Sequence, residues 1–327
     1  MPELPTDANV LTLPDRWERR PPLLLDGWLE RRGISPLSMA VVGLVLAFIL
    51  FQIVISPAVT LLLLLSQGVS PAEMLNAMAV IIEEHARSLL AANTIGQILG
   101  LALPAYLLAR LHSSRPLAIL RVRTTDIGFV VIAAIGLVAL TPVIQWLGSI
   151  NETIPLPEFI RRFEQSQMEL IEQVLRVDTG FAFNFVVLAI TPAICEELLF
   201  RGYVQRQAER GAGVVGGILI SGIVFGLYHL RLTQAIPLCV LGVYLAWLTW
   251  RTGSLWPAVA VHFTNNAIAV AIGAYVAKRP DFEMEDLESM EIPWYILVLG
   301  FAIFAVSIVA LQGMVRRRAD TSTASAR

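Results

Sequence analysis

The sequence predicts an all-α, polytopic integral membrane protein of about eight transmembrane helices, and three observations carry that expectation. Of its 327 residues 56% are hydrophobic and only 15% charged, whereas about a quarter of a soluble domain is charged. The mean hydropathy is +0.68. The apolar residues gather in runs of about 20, the length that crosses a bilayer as a helix, and Lys and Arg favour alternate loops between them.

The runs fall at roughly 38–65, 89–111, 127–150, 180–206, 213–230, 234–250, 255–277 and 292–315. Polar residues or Pro237 interrupt the fourth, sixth and seventh. Ahead of them, the arm 1–37 opens polar and proline-rich, without the apolar stretch of a cleavable signal peptide. Cys195 and Cys239 both lie inside apolar runs and are expected as buried small hydrophobes rather than a disulfide framework. The formal net charge of −2 gives no sign of a nucleic-acid partner. No internal repeat is visible, which argues against a transporter built from repeats.

Loop charge sets the expected direction. Arg16, Arg19, Arg20, Arg31 and Arg32 precede the first run, and Arg110, Arg115, Arg121 and Arg123 follow the second. Arg206 and Arg210 follow the fourth, Arg251 the sixth, and Arg316, Arg317 and Arg318 the last. The intervening loops are acidic: Glu73, Glu83 and Glu84; then Glu152, Glu158, Glu164, Glu169 and Glu172; then DFEMEDLESME. Arg161, Arg162, Arg231, Lys278 and Arg279 break the alternation. The bias still predicts a multi-pass protein of the cell membrane with both termini in the cytoplasm. Two loops are expected to be helical. Ser70-Pro71-Ala72-Glu73 has capping-box spacing with proline at the first helical position. Residues 158–176 put Phe159, Phe163, Leu170 and Val174 on one side, as in a helix lying in the membrane interface.

Chemistry concentrates in PAICEELLFRGYVQ, 192–205, where two glutamates interrupt an apolar run. An ionisable residue inside a span is costly and signals function. Glu197 precedes Arg201 by four residues, the favourable order for a pair on one helix face. Glu196 lies about 100° around that helix, without a local partner, where it can take and return a proton. His85 and His112 are expected at the surface; His229 and His262 fall inside the fifth and seventh runs. His262 and Asn266 share a helix face, as do Phe225 and His229. Gly222 with Gly226, and Gly96 with Gly100, have the spacing of close helix packing.

These residues spell three motifs in order: Glu196-Glu197-x-x-x-Arg201, Phe225-x-x-x-His229 and His262-x-x-x-Asn266. The chain therefore resembles the CPBP family of intramembrane proteases, also called the CAAX-protease, bacteriocin-processing or Abi family, over about residues 180 to 275. The resemblance implies hydrolysis of a peptide bond within the membrane, with a peptide or membrane-protein substrate. It implies Glu196 as the base on water, Glu197 and Arg201 as its supporting pair, and His229 beside the water. His262 and Asn266 would hold the oxyanion, and preorganised donors there lower the barrier by a few kcal/mol. With it, 1–37 is a cytoplasmic arm and 38–179 the first three transmembrane helices with interfacial helices. Residues 180–277 are the catalytic helices, 278–315 the acidic loop and last helix, and 316–327 a cytoplasmic tail.

No cofactor is expected, with zinc on Glu196, His229 and His262 as the alternative. The H-E-x-x-H of zinc intramembrane proteases is absent from the sequence, as is a G-x-G-D motif. Ser221, in LISGIVFG, lacks the setting of a rhomboid nucleophile. Two other classes use the same residues: a proton-coupled transporter with Glu196 and the histidines as a relay, and a catalytically silent membrane scaffold. One difficulty stands in the linear count. Glu196 and His262 lie about 10–15 Å from the cytoplasmic helix ends and His229 much further, so a helix must tilt or break, and Pro192 is the expected place.

Overall fold

Proline and glycine set the course of the long helices. The computed structural model describes residues 10–11, 23–276 and 292–324. Arg16, Arg19 and Arg20, together with Lys278, Arg279 and the acidic stretch 281–291 including Glu285, lie outside the described residues. A two-residue strand pair joins β1 (Val10–Leu11) to β2 (Leu23–Leu24); the other regular elements are helical. Short α1 (Trp28–Arg31) leads into α2 (Pro36–Ser66), α3 (Pro71–Asn76), α4 (Ala79–His112) and α5 (Pro116–Ile119). Next come α6 (Ile127–Glu152), α7 (Glu158–Arg176) and a run from Phe181 to Tyr228. α10 (Ala235–Thr252), α11 (Trp256–Val276) and α12 (Trp294–Ala324) complete the bundle.

Seven of these helices are long and apolar enough to cross a membrane among the described residues. The run Phe181–Tyr228 has 48 residues, or about 72 Å at 1.5 Å each. That is more than twice the ~30 Å hydrocarbon core, so it cannot cross as one rod. It breaks at Gly213, whose φ of 74° and ψ of 174° belong to a region open almost only to glycine. The chain then returns on itself: the Ser221 hydroxyl donates to the Phe200 carbonyl at 3.1 Å. Residues 181–212 (α8) and 214–228 (α9) are thus the two legs of a helical hairpin. Counted as legs, the apolar segments number about eight, as the sequence predicts; the fourth and fifth runs meet at one residue instead of a loop.

Pro192 does not break its helix. π turns at Ile49–Ile55, Ile98–Ala102 and Phe185–Ile190 each end two residues before a proline, Pro57, Pro104 and Pro192. A proline ring clashes with the carbonyl four residues back and offers no N–H, and a widened turn absorbs both faults while the helix continues. A fourth π turn, Leu198–Val204, carries Arg201 without any proline. The break at Gly213 also removes the depth conflict. Leu255 N donates to Arg121 O, and Arg206 Nε to Ile119 O, so these residues share a level at one end of the bundle. A Cβ on Gly217 would stand 2.8 Å from Glu209 N, which puts Gly217, not Gly213, at that level. Counted from there, Glu196, His229 and His262 all lie between about 10 and 20 Å in.

Two apolar cores result. One joins α2, α4, α5, α8 and α9 through Phe51, Leu101, Leu199, Phe200 and Phe225. The other joins α6, α10, α11 and α12 through Leu137, Leu245, Val261 and Leu311. Gly222 seats α9 on α10, where an added Cβ would fall 2.6 Å from Val243 N, and Gly226 does the same against Cys239. Gly100 packs likewise on Phe51.

At the end bearing the acidic loops, the Ser70–Glu73 box forms in both directions, and α7 is helical with Phe159 and Phe163 73% and 51% exposed. One surface expectation fails at the other end. His112 is buried: Nδ1 meets Glu30 at 2.5 Å and Nε2 meets the Tyr203 hydroxyl at 3.1 Å, because α1 folds Glu30 over the end of α4. Glu164, expected among the acidic loop residues, is also buried. His85 is half-buried at a kink in α4, with φ −123° and ψ 19°.

Candidate active site

Each motif arrives on its own helix: Glu196, Glu197 and Arg201 on α8, Phe225 and His229 on α9, His262 and Asn266 on α11. The i,i+4 spacing closes the Glu197–Arg201 pair at 2.7 Å, and both side chains are wholly buried. Glu197 Oε1 also meets His262 Nδ1 at 2.9 Å, so one carboxylate ties α8 to α11. The second guanidinium nitrogen, Nη2, donates to the Gly242 carbonyl on α10 at 3.1 Å. Phe225 lies beneath the whole group. Its ring is 4.2 Å from the Arg201 guanidinium, and 4.8 and 5.6 Å from the rings of His229 and His262. A cation against a desolvated aromatic face is stabilised by about 2 kcal/mol.

Glu196 has no such fixed partner. Its Oε2 stands 3.9 Å from His229 Nε2 and 3.9 Å from His262 Nε2, too far for a hydrogen bond, and this buried oxygen has no hydrogen-bond partner. The hydrogen bonds at the far nitrogens orient both rings. His229 Nδ1 lies 2.8 Å from the Phe225 carbonyl; a carbonyl only accepts, so Nδ1 carries the proton and, in the neutral ring, Nε2 presents a lone pair. His262 Nδ1 donates to Glu197 in the same sense. Three polar atoms therefore converge from three helices, each 3.9 Å pair too far apart to hydrogen-bond.

Asn266 is one turn beyond His262 on α11, half-buried, with its amide oxygen accepting from Asn265 Nδ2 at 3.3 Å. It makes no hydrogen bond to the glutamates or histidines among the described residues. Tyr228 is a neighbour the motif reading passed over. Its buried hydroxyl has no hydrogen-bond partner, and its ring packs edge-on against Phe200 and Phe48. The signal in the sequence was its place beside His229 in FGLYH.

A zinc ion bound at 2.0–2.1 Å sets tetrahedral ligand atoms about 3.4 Å apart. The 3.9 Å separations are wider, and no three His, Cys, Asp or Glu side chains stand at metal-binding spacing among the described residues. The donor types would suit zinc, and Glu197 behind His262 is the carboxylate–histidine arrangement that orients such ligands. The group would have to close by about half an ångström to hold the ion.

Fold and site define a class: an all-α, multi-pass membrane protein with carboxylate and imidazole groups converging at the seam of three helices. Residues 178–268 match the family model described as Type II CAAX prenyl endopeptidase Rce1-like, a span that contains all three motifs. Over this segment the chain is similar to the CPBP, or CAAX-protease, family. That likeness supports, at family level, a membrane-embedded protease acting on a peptide or protein. No curated protein and no solved structure matches the chain.

Proposed function

We propose that the protein is an endopeptidase that hydrolyses peptide bonds within the membrane by glutamate-activated water, without a required metal. The observation that carries this reading is the unpartnered Glu196 Oε2, 3.9 Å from each of two imidazole nitrogens contributed by two other helices. A water admitted between these three groups donates one proton to Glu196 and the other toward His229 Nε2. Glu196 takes the proton as the water oxygen attacks the carbonyl, and returns it to the leaving amine. His262 stabilises the oxyanion; in that role it carries protons on both nitrogens, with Glu197 as counter-charge on Nδ1. Asn266, whose oxygen is engaged by Asn265, supplies its amide NH2 as the second donor. Glu197, Arg201 and Phe225 hold this set in register.

The protein acts in the cell membrane with both termini in the cytoplasm, so the end carrying Arg121, Arg206 and Arg251 faces inward. The exposed Phe159 and Phe163 of α7 lie in the opposite membrane interface.

The test is digestion of a peptide library by the purified protein in detergent, with Glu196→Gln as control. Cleavage by the wild type and none by the variant is expected; cleavage by both, or by neither, overturns the reading. Chelation separates the two chemistries. Turnover that survives chelator and falls about 10²–10³-fold in Asn266→Ala, the effect of one lost oxyanion donor, supports the metal-free form. Stoichiometric zinc, lost together with activity in His229→Ala and His262→Ala, replaces it with the zinc form.

A further inference from the structure

His229 sits where its helix has already ended. It is the capping residue of α9, and the next residue, Leu230, has φ +55°, a conformation rare for a leucine. The following loop therefore does not hold its shape by its own preference; side chains from elsewhere hold it. Glu164 of α7 accepts from Leu232 N at 2.6 Å, Thr233 N at 3.1 Å and the Thr233 hydroxyl at 2.6 Å. Asn151, at the end of α6, grips the same loop from the other side. Its Nδ2 donates to Leu232 O and its Oδ1 accepts from Ile236 N, both at 2.8 Å. Glu164 is 3% exposed and Asn151 2%. On α7, neighbouring Phe163 points out while the carboxylate points in, which reverses the usual economy of a surface helix. A buried carboxylate with three donors is stable, and all three belong to one short loop.

We infer that Glu164 is a positioning residue for His229. By fixing residues 230–235 it sets the backbone from which the imidazole reaches back, so that Nδ1 meets Phe225 O and Nε2 faces Glu196. Glu164 makes no contact with Glu196 among the described residues and touches no reacting atom. The inference rests on the peptidase reading for its kinetic consequence and on geometry alone for its structural one. A helix lying across the acidic end of the bundle is in this way part of the site.

The experiment is a double-mutant cycle with a spectroscopic arm. Glu164→Gln keeps the size of the side chain but turns one accepting oxygen into an NH2 that opposes the loop donors. Turnover and KM of a library-selected peptide are measured for wild type, Glu164→Gln, His229→Gln and the double variant. The expected result is kcat lower by about 10²-fold, the usual effect of a misplacement near 1 Å, with KM changed less than about threefold. On the His229→Gln background the same substitution has no further effect, since the residue it acts through is gone. An equal loss on both backgrounds overturns the inference and makes Glu164 a general stabiliser. In parallel, the histidines are labelled with nitrogen-15 and their tautomers read by NMR. Glu164→Gln should change the His229 signal and leave that of His262. An unchanged His229 signal overturns the inference whether or not the protein cleaves anything. Should the wild type show no turnover, the peptidase reading fails and the His229 signal alone decides the positioning role.

Discussion

Replacing Glu197 by glutamine tests the charge arrangement beneath the site. The substitution keeps the shape and one accepting oxygen but removes the negative charge. That charge faces Arg201 at 2.7 Å and His262 at 2.9 Å, and neither Glu197 nor Arg201 has any exposed side-chain surface. Removing one member of a buried ion pair costs about 3–5 kcal/mol, because the other charge is stranded. Here Arg201 keeps the Gly242 carbonyl and the face of Phe225, so the lower end, about 3 kcal/mol, is expected. At roughly 2–4 °C per kcal/mol the melting temperature in detergent should fall by about 6–12 °C. Turnover should fall with it, since His262 loses the carboxylate on Nδ1. The assay pairs thermal unfolding followed by intrinsic fluorescence with peptide cleavage below both transitions. A Glu197→Gln protein that melts within about 2 °C of wild type, well short of that range, would refute the account of a stranded guanidinium.

Three further outcomes follow from features elsewhere. Gly213→Ala forces a side chain into a backbone region open almost only to glycine and should destabilise by about 1–3 kcal/mol, seen as a lower melting temperature with KM unchanged. Phe225→Leu removes the ring shared by Arg201, His229 and His262 and should reduce both turnover, by about tenfold, and melting temperature; loss of neither means the ring is only filler. Burial pushes the Glu30 carboxyl up, but hydrogen bonds from His112 and Arg210 outweigh it and leave the group below its usual 4.5. A depressed carboxyl contributes stability that is complete above the ordinary value and is lost as pH falls through the lowered one. The α1 clasp should therefore be intact at neutral pH and release only in acid below the usual 4.5, a dependence that Glu30→Gln removes and that limited proteolysis of the arm would report.

What could be read from the sequence was what lies within one helix. The Glu197–Arg201 pair follows from a four-residue spacing, the Ser70–Glu73 box from a three-residue one, and the spans from their length. Contacts between helices were legible only as motifs. Nothing in the order of residues says that Glu197 reaches His262, or that Phe225 underlies three groups at once. The depth conflict arose because helix α9 was measured from its first residue, while the hairpin overlaps itself for several residues past Gly213. His112 was misread because it is polar and near a span end, where water is the default partner, and the burial of Glu164 was hidden by the same default. Glu30 and the 230–235 loop, both far away in sequence, took the place of that water.

The two-core packing has a consequence for how such a chain can be divided. Every candidate catalytic group lies within 178–268, so the chemistry can be cut out of the sequence as a single piece. It cannot be cut out of the molecule. Phe225 and Phe200 share their core with Phe51 and Leu101, and Val261 shares its core with Leu137 and Leu311, all supplied from outside the piece. Excised, the segment would carry its reactive groups on helices with nothing to lean against. The activity is compact as text and distributed as matter.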